Sequence, residues 1–163
     1  MKKSFILVAF LAAMSVVAYA QPRAIGANLG GGLGFSYQHG FGESNMLDVA
    51  VYVPIWSWGL AGSVTYDWID PFGATVPWND KGEWHWYMGV GGGGGIYGYV
   101  FGPGQPWFAG VVGHIGIEYD FWFPFQLSFD WRPNFGVCGT GTTVLFNPAG
   151  LWEGLQLGVR YKF

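Results

Sequence analysis

Apolar and polar side chains alternate along most of this chain, most strictly between Leu155 and Phe163. There Leu155, Leu157, Val159, Tyr161 and Phe163 occupy one face, and Gln156, Gly158, Arg160 and Lys162 the other. Strand side chains repeat every two residues, so this stretch predicts a strand with one oily and one polar face. The same period predicts seven earlier strands. Ile25, Ala27 and Leu29 share a face; after a glycine turn at Gly31 and Gly32, so do Leu33, Phe35 and Tyr37. Strand three, Met46 to Val53, sends Leu47, Val49, Val51 and Val53 outward and Asp48, Ala50 and Tyr52 inward. Strand four, Gly59 to Trp68, sends Leu60, Val64, Tyr66 and Trp68 outward and Ala61, Ser63, Thr65 and Asp67 inward.

Strand five begins near Glu83, with Trp84, Trp86, Met88 and Val90 outward and His85, Tyr87, Gly89 and Gly91 inward, and runs into a glycine stretch. Strand six, Trp107 to Phe121, places Val111, Ile115, Ile117 and Tyr119 outward and Gly110, His114, Gly116, Glu118 and Asp120 inward. In strand seven, Phe125 to Arg132, Phe125, Leu127, Phe129 and Trp131 oppose Gln126, Ser128, Asp130 and Arg132. Turn chemistry marks the junctions: Gly42 to Asn45, Pro54 to Trp58, the polar segment Ile69 to Lys81, Gly102 to Pro106, and Trp122 to Pro124. Asn134 to Gly150 is expected to be a loop that folds over the barrel mouth or prolongs strands seven and eight.

Composition decides what such strands enclose. Apolar residues make up 51% of the chain, aromatics 20% and charged residues 10%, with 29 glycines. A water-soluble domain normally carries about 25% charged residues. A lipocalin-like carrier would need more surface charge and would turn its apolar residues inward. Lys2 and Lys3, an apolar run from Phe5 to Val17, and Ala18-Tyr19-Ala20 form the layout of a secretory leader, with cleavage expected before Gln21. Residues 21–163 form one domain. Loss of the two lysines leaves 5 of 7 basic residues against 10 acidic ones, which disfavours nucleic acid. No later apolar run is long enough for a transmembrane helix. Lipid admits only helices and closed barrels, because backbone groups must be satisfied internally. The expected fold is therefore all-β, an eight-stranded antiparallel transmembrane β-barrel.

An even strand count puts both ends of the barrel chain on the periplasmic side. Aromatics then fall in two bands at headgroup depth: Tyr37, Phe41, Trp68, Trp84, Trp86, Tyr119, Phe121, Tyr161 and Phe163 low, and Trp56, Trp58, Trp107, Trp131 and Trp152 high. The segments AIGANLGGGLGFSYQH, WYMGVGGGGGIYG, GHIGIEYDF, LSFDWRPNF and LGVRYKF together resemble the small porin-like, outer membrane protein X-type eight-stranded barrels across the whole of residues 21–163. The resemblance implies an outer-membrane location in a Gram-negative bacterium. It also implies an assembly signal at Tyr161 and Phe163, read by the barrel assembly machinery. The short first hairpin departs from the long extracellular loops of better-studied relatives, which weakens the carry-over of a surface-adhesion role.

Inside the barrel the parity collects Asp48, Asp67, Glu118, Asp120 and Asp130 with Arg132, Arg160 and Lys162. Unpaired ions in a narrow lumen cost several kcal/mol, so these groups are expected to pair, with Arg160 bridging Glu118 or Asp130. His85, His114 and Ser128 join them as polar lumen residues. A hydrolytic triad of His114, Ser128 and Glu118 is the competing reading, but no nucleophile motif surrounds Ser128. Gly89, Gly91 and Gly94 match G-x-G-x-x-G without the strand-to-helix context a dinucleotide requires, and lumen-facing glycines more simply make room for bulky neighbours. No histidine or cysteine spacing suits a metal, no cofactor is implied, and Cys138 reads as a small apolar filler. His39 reads as an outward, interfacial residue. The expected function is a non-enzymatic structural or porin-like surface protein, monomeric and solvated by outer-membrane lipids. A lipid-modifying enzyme, of acyltransferase or deacylase type, or a narrow solute pore is the alternative.

Overall fold

The computed structural model describes residues 21–54, 59–70, 81–98, 106–140, 143–147 and 154–163. The expected leader, residues 1–20, and Trp56, Trp58 and Trp152 lie outside the described residues, as does most of the connection expected between Ile69 and Lys81. Among the described residues there are ten strands: β1 Gln21–Gly30, β2 Gly32–Gly40, β3 Asn45–Pro54, β4 Leu60–Ile69, β5 Gly82–Ile96, β6 Trp107–Phe121, β7 Phe125–Trp131, β8 Asn134–Thr140, β9 Thr143–Asn147 and β10 Leu155–Lys162. All pair antiparallel in one sheet, in which β1 meets β10 and β5 meets β6, so the sheet closes on itself. The result is an eight-stranded closed barrel.

Ten strands make eight staves because β7 and β8 lie end to end along β6, and β10 and β9 pair with those two halves in turn as the eighth stave. The break falls at Arg132 and Pro133, since proline has no N–H to give to a ladder. The Pro133 carbonyl still accepts from Gly113 N at 2.9 Å, holding the two halves in line. The segment from Asn134 onward, expected as a loop, is thus largely a hairpin: β8 continues the seventh stave and β9 pairs back on it. Its Phe135 and Val137 alternate with Gly136 and Cys138, but the preceding proline makes the sequence read as ended.

The staves tilt steeply. Following hydrogen-bonded partners sideways from Gly30 leads to Gln156, Asp130, Gly116, Tyr87 and then Ile69. The row starts at the upper rim, beside the Gly31 turn, and reaches the lower rim at the end of β4. Such shear is what allows eight strands to close around an interior no wider than packed side chains.

The parity of each strand sorts the side chains inside out relative to a water-soluble domain. Leu33 is 60% exposed and Phe129 53%, both facing outward, whereas Arg160, Asp67 and Glu118 are fully enclosed. An apolar trio, Met46, Ile69 and Tyr87, lines the lower interior. Inward glycines make this filling possible. Asp67 occupies the space a side chain on Gly89 would take, Phe108 that of Gly95, and Ser128 that of Gly158. The glycine stretch of β5 is therefore a strand wall relieved of bulk, and no helix follows it among the described residues.

Aromatic rings form a ladder around the lower rim. Tyr119, Phe121, Phe123, Phe125, Tyr161 and Phe163 follow one another with ring centroids 4.7 to 5.8 Å apart. A second run joins Tyr37, His39, Phe41, Tyr66 and Trp68. His39 faces outward, yet it is buried between Tyr37 and Phe41, and its Nδ1 lies 2.8 Å from the Tyr37 hydroxyl.

Candidate functional site

The chemistry of the barrel is concentrated in its lumen, where strand periodicity delivers charged groups from opposite staves to one another. Arg132, at the end of β7, is held by two carboxylates: Nη1 donates to Asp48 Oδ1 at 2.8 Å and Nε to Asp130 Oδ1 at 3.0 Å. Arg160 on β10 donates from Nε to Ser36 Oγ at 2.6 Å and from Nη1 to Ser128 Oγ at 2.5 Å. Its Nη2 lies 3.7 Å from Asp48 Oδ2 and 3.8 Å from Asp130 Oδ2. His114 stands between two carboxylates, with Nδ1 2.9 Å from Asp67 Oδ1 and Nε2 3.4 Å from Asp130 Oδ1. The second contact is within ion-pair range but too poorly aligned for a hydrogen bond. Thr65 donates to Asp67 Oδ2 at 3.1 Å, and the Tyr87 hydroxyl to Asp130 Oδ2 at 3.2 Å.

Below this cluster the pairs are simpler. Lys162 Nζ reaches Asp120 Oδ2 at 2.7 Å. Of the two partners expected for Arg160, Asp130 lies 3.8 Å from its Nη2, while Glu118 is paired with Arg23. Arg23 is the lumen residue that alternation misses. The β1–β2 register slips between Pro22 and Ala24, and this bulge directs Arg23 inward although Ala24 beside it is also buried inside. A bulge adds a residue to one strand and so re-aims a side chain against simple parity. Arg23 Nη1 also donates to Gln38 Oε1 at 3.4 Å, and Gln38 Nε2 to Asp48 Oδ2 at 3.4 Å, which links the lower pair to the central cluster.

Asp48, Asp67 and Asp130 thus meet Arg132, Arg160 and His114 in one enclosed network, which Gln38 links to the Arg23–Glu118 pair, while Lys162 and Asp120 form a separate, partly exposed pair. Charges buried in this way persist only when paired and hydrogen-bonded on most sides. His85 stands apart, near the lower mouth, with Nδ1 2.7 Å from Asp70 Oδ2 and Nε2 3.6 Å from Glu83 Oε2. Ser128, His114 and Glu118 do not assemble as a triad. Ser128 Oγ is engaged by Arg160 and donates to Asp130, the His114 nitrogens face Asp67 and Asp130, and Glu118 belongs to Arg23.

Above Arg132 the filling is incomplete. A cavity of about 40 Å³ lies beneath the Gly31 turn and is bordered by Ala61, Ser63, Phe108, Val112, Arg132 and Gln156 among others. Arg132 Nη2 and Ser63 Oγ, both enclosed, have no hydrogen-bond partner there among the described residues. Cys138 faces the same side of the wall as Phe108, its register partner, and is half-buried.

No protein-family description, curated protein or solved structure matches this chain.

Proposed function

We propose that this chain is a transmembrane barrel of the outer membrane of a Gram-negative bacterium, a non-enzymatic structural or porin-like surface protein whose lumen is closed by its own ion pairs. One observation carries the reading: the outward face is apolar around the barrel while the inward face holds the charges. Water-soluble monomers rarely expose contiguous apolar patches beyond a few hundred Å². A hydrocarbon surround removes that cost, because the outward residues then face lipid and the backbone is satisfied by the closed sheet. The aromatic ladder at the lower rim suits headgroup depth, where rings with one wet and one oily side are favoured.

The lumen supports a plugged barrel over a conducting one. Arg132 spans it to Asp48, and Arg160 to Ser36, which sets fixed cations across the lumen. Tyr161, on the outward face of β10, and Phe163, just beyond its end, are both exposed and available to barrel assembly machinery before closure. The test combines location, fold and conductance. The protein is expected to fractionate with outer membranes, to migrate differently in detergent gels before and after boiling, and to leave planar bilayers silent. Recovery in the soluble fraction, or identical mobility, would overturn the membrane reading. Discrete conductance steps at single insertions would replace the plug with a pore.

A further inference from the structure

We propose that the cavity above Arg132 is a binding site for a small uncharged molecule that carries a hydroxyl group on an apolar body. Two enclosed polar groups without partners among the described residues, Arg132 Nη2 and Ser63 Oγ, border the same space. The other two faces of the guanidinium are committed to Asp48 and Asp130, so its charge is already matched and only one donor edge is left over. An anionic ligand would add a third negative group around one guanidinium. A hydroxyl meets both needs: its oxygen accepts from Arg132 Nη2, and its hydrogen is donated to Ser63 Oγ.

The rest of the lining selects the body of the ligand. Ala61, Phe108, Val112 and Pro54 present carbon to the cavity, and the Phe108 ring stacks on Tyr97 with centroids 5.1 Å apart. Water alone would satisfy the polar floor but leave these walls wet. The volume of about 40 Å³ admits the hydroxyl end of a ligand, and the lining extends to Gly31, Pro54 and Gly154 at the upper rim. Ligand sites of this kind, mostly apolar with a few convergent polar groups, favour the mouths of β-barrels.

The refolded protein in detergent micelles, carrying labelled alanine and valine methyls and labelled arginine, is titrated with benzyl alcohol, toluene and benzoate while its NMR spectrum is followed. Benzyl alcohol is expected to produce saturable shifts at Ala61, Val112 and the Arg132 side chain. Toluene and benzoate should bind about tenfold more weakly, the loss expected when a buried hydrogen bond is not made. Ser63→Ala should weaken benzyl alcohol binding and leave toluene unchanged, and Ala61→Leu should abolish saturation by filling the space. Gel mobility before boiling verifies that each variant is folded; should Ala61→Leu fail to fold, the Ser63→Ala comparison decides alone. Shifts that rise without saturation and equally for all three probes mean micelle partitioning with ordered water in the cavity, and overturn the proposal. Tighter binding of benzoate overturns it as well.

Discussion

Arg132 and Asp48 join opposite walls of the barrel: Nη1 on the seventh stave lies 2.8 Å from Oδ1 on the third, across the full width of the lumen. Cross-links of this kind turn a closed sheet into a filled one. Arg132→Met leaves Asp48 and Asp130 enclosed with one cation fewer. Loss of one partner of a buried pair costs about 3–5 kcal/mol, most of it from the stranded charge. Denaturant unfolding of the refolded barrel in micelles is expected to show that loss. Arg132→Met combined with Asp48→Leu should recover a large part of it.

His114 supplies the second prediction. His114→Phe removes the group that separates Asp67 from Asp130, leaving Asp67 with Thr65 as its remaining side-chain donor. The variant should be destabilised by roughly 2–4 kcal/mol, and Asp67→Asn in the same chain should offset part of that loss. A double-mutant cycle measures the difference, and residues in direct contact are where such cycles depart from additivity.

Two glycines of the same sheet should differ in their response to an added methyl group. A methyl group on Gly116 would lie 2.5 Å from the Tyr87 hydroxyl oxygen and 2.7 Å from Asp130 Cβ, so Gly116→Ala must displace the Tyr87 to Asp130 hydrogen bond. Overpacking of this kind costs about 1–3 kcal/mol. On Gly92 the nearest atom to an added methyl is 3.8 Å away, and Gly92→Ala should unfold at the same denaturant concentration as the parent.

The proposed hydrocarbon belt is testable at Val159, which faces outward midway along β10. Val159→Arg is expected to cost about 2–4 kcal/mol in lipid bilayers, and the same exchange at Phe163 on the lower rim about 0–1 kcal/mol. Equal costs at the two positions would count against a hydrocarbon belt around the barrel.

The staves were legible because one face of each strand is nearly pure carbon. On β10, Leu157, Val159 and Tyr161 alternate with Gly158, Arg160 and Lys162, and the structure keeps that parity. Position inside or outside follows from the sequence, but partnership across the lumen depends on shear and stagger, which alternation does not encode. Arg160 was assignable to the interior, whereas its engagement of Ser36 and Ser128 was not. Arg23 escaped for a local reason. It is followed by Ala24 and Ile25 at the start of an alternating run, and only the one-residue slip after Pro22 turns it inward. The proline of Pro22 was a signal of irregularity at that point. Pro133 misled in the opposite sense: it interrupts the ladder without ending the stave. The orphaned Arg132 Nη2 and Ser63 Oγ had no sequence signature, because a missing partner is a property of packing.

The seam between β1 and β10 governs how the protein can fold. It pairs Ala24 with Lys162 and Gly30 with Gln156, the most distant partners along the chain of any in the sheet. Every other antiparallel neighbour can form as a hairpin or a short-range addition, whereas this one bears the largest loop-closure entropy. Until it forms, the sheet has two unpaired edges, each a template for association with another chain. Acquisition of the closed state should therefore be a late, slow and all-or-none event, with its rate set by the capture of Leu155–Lys162 by β1.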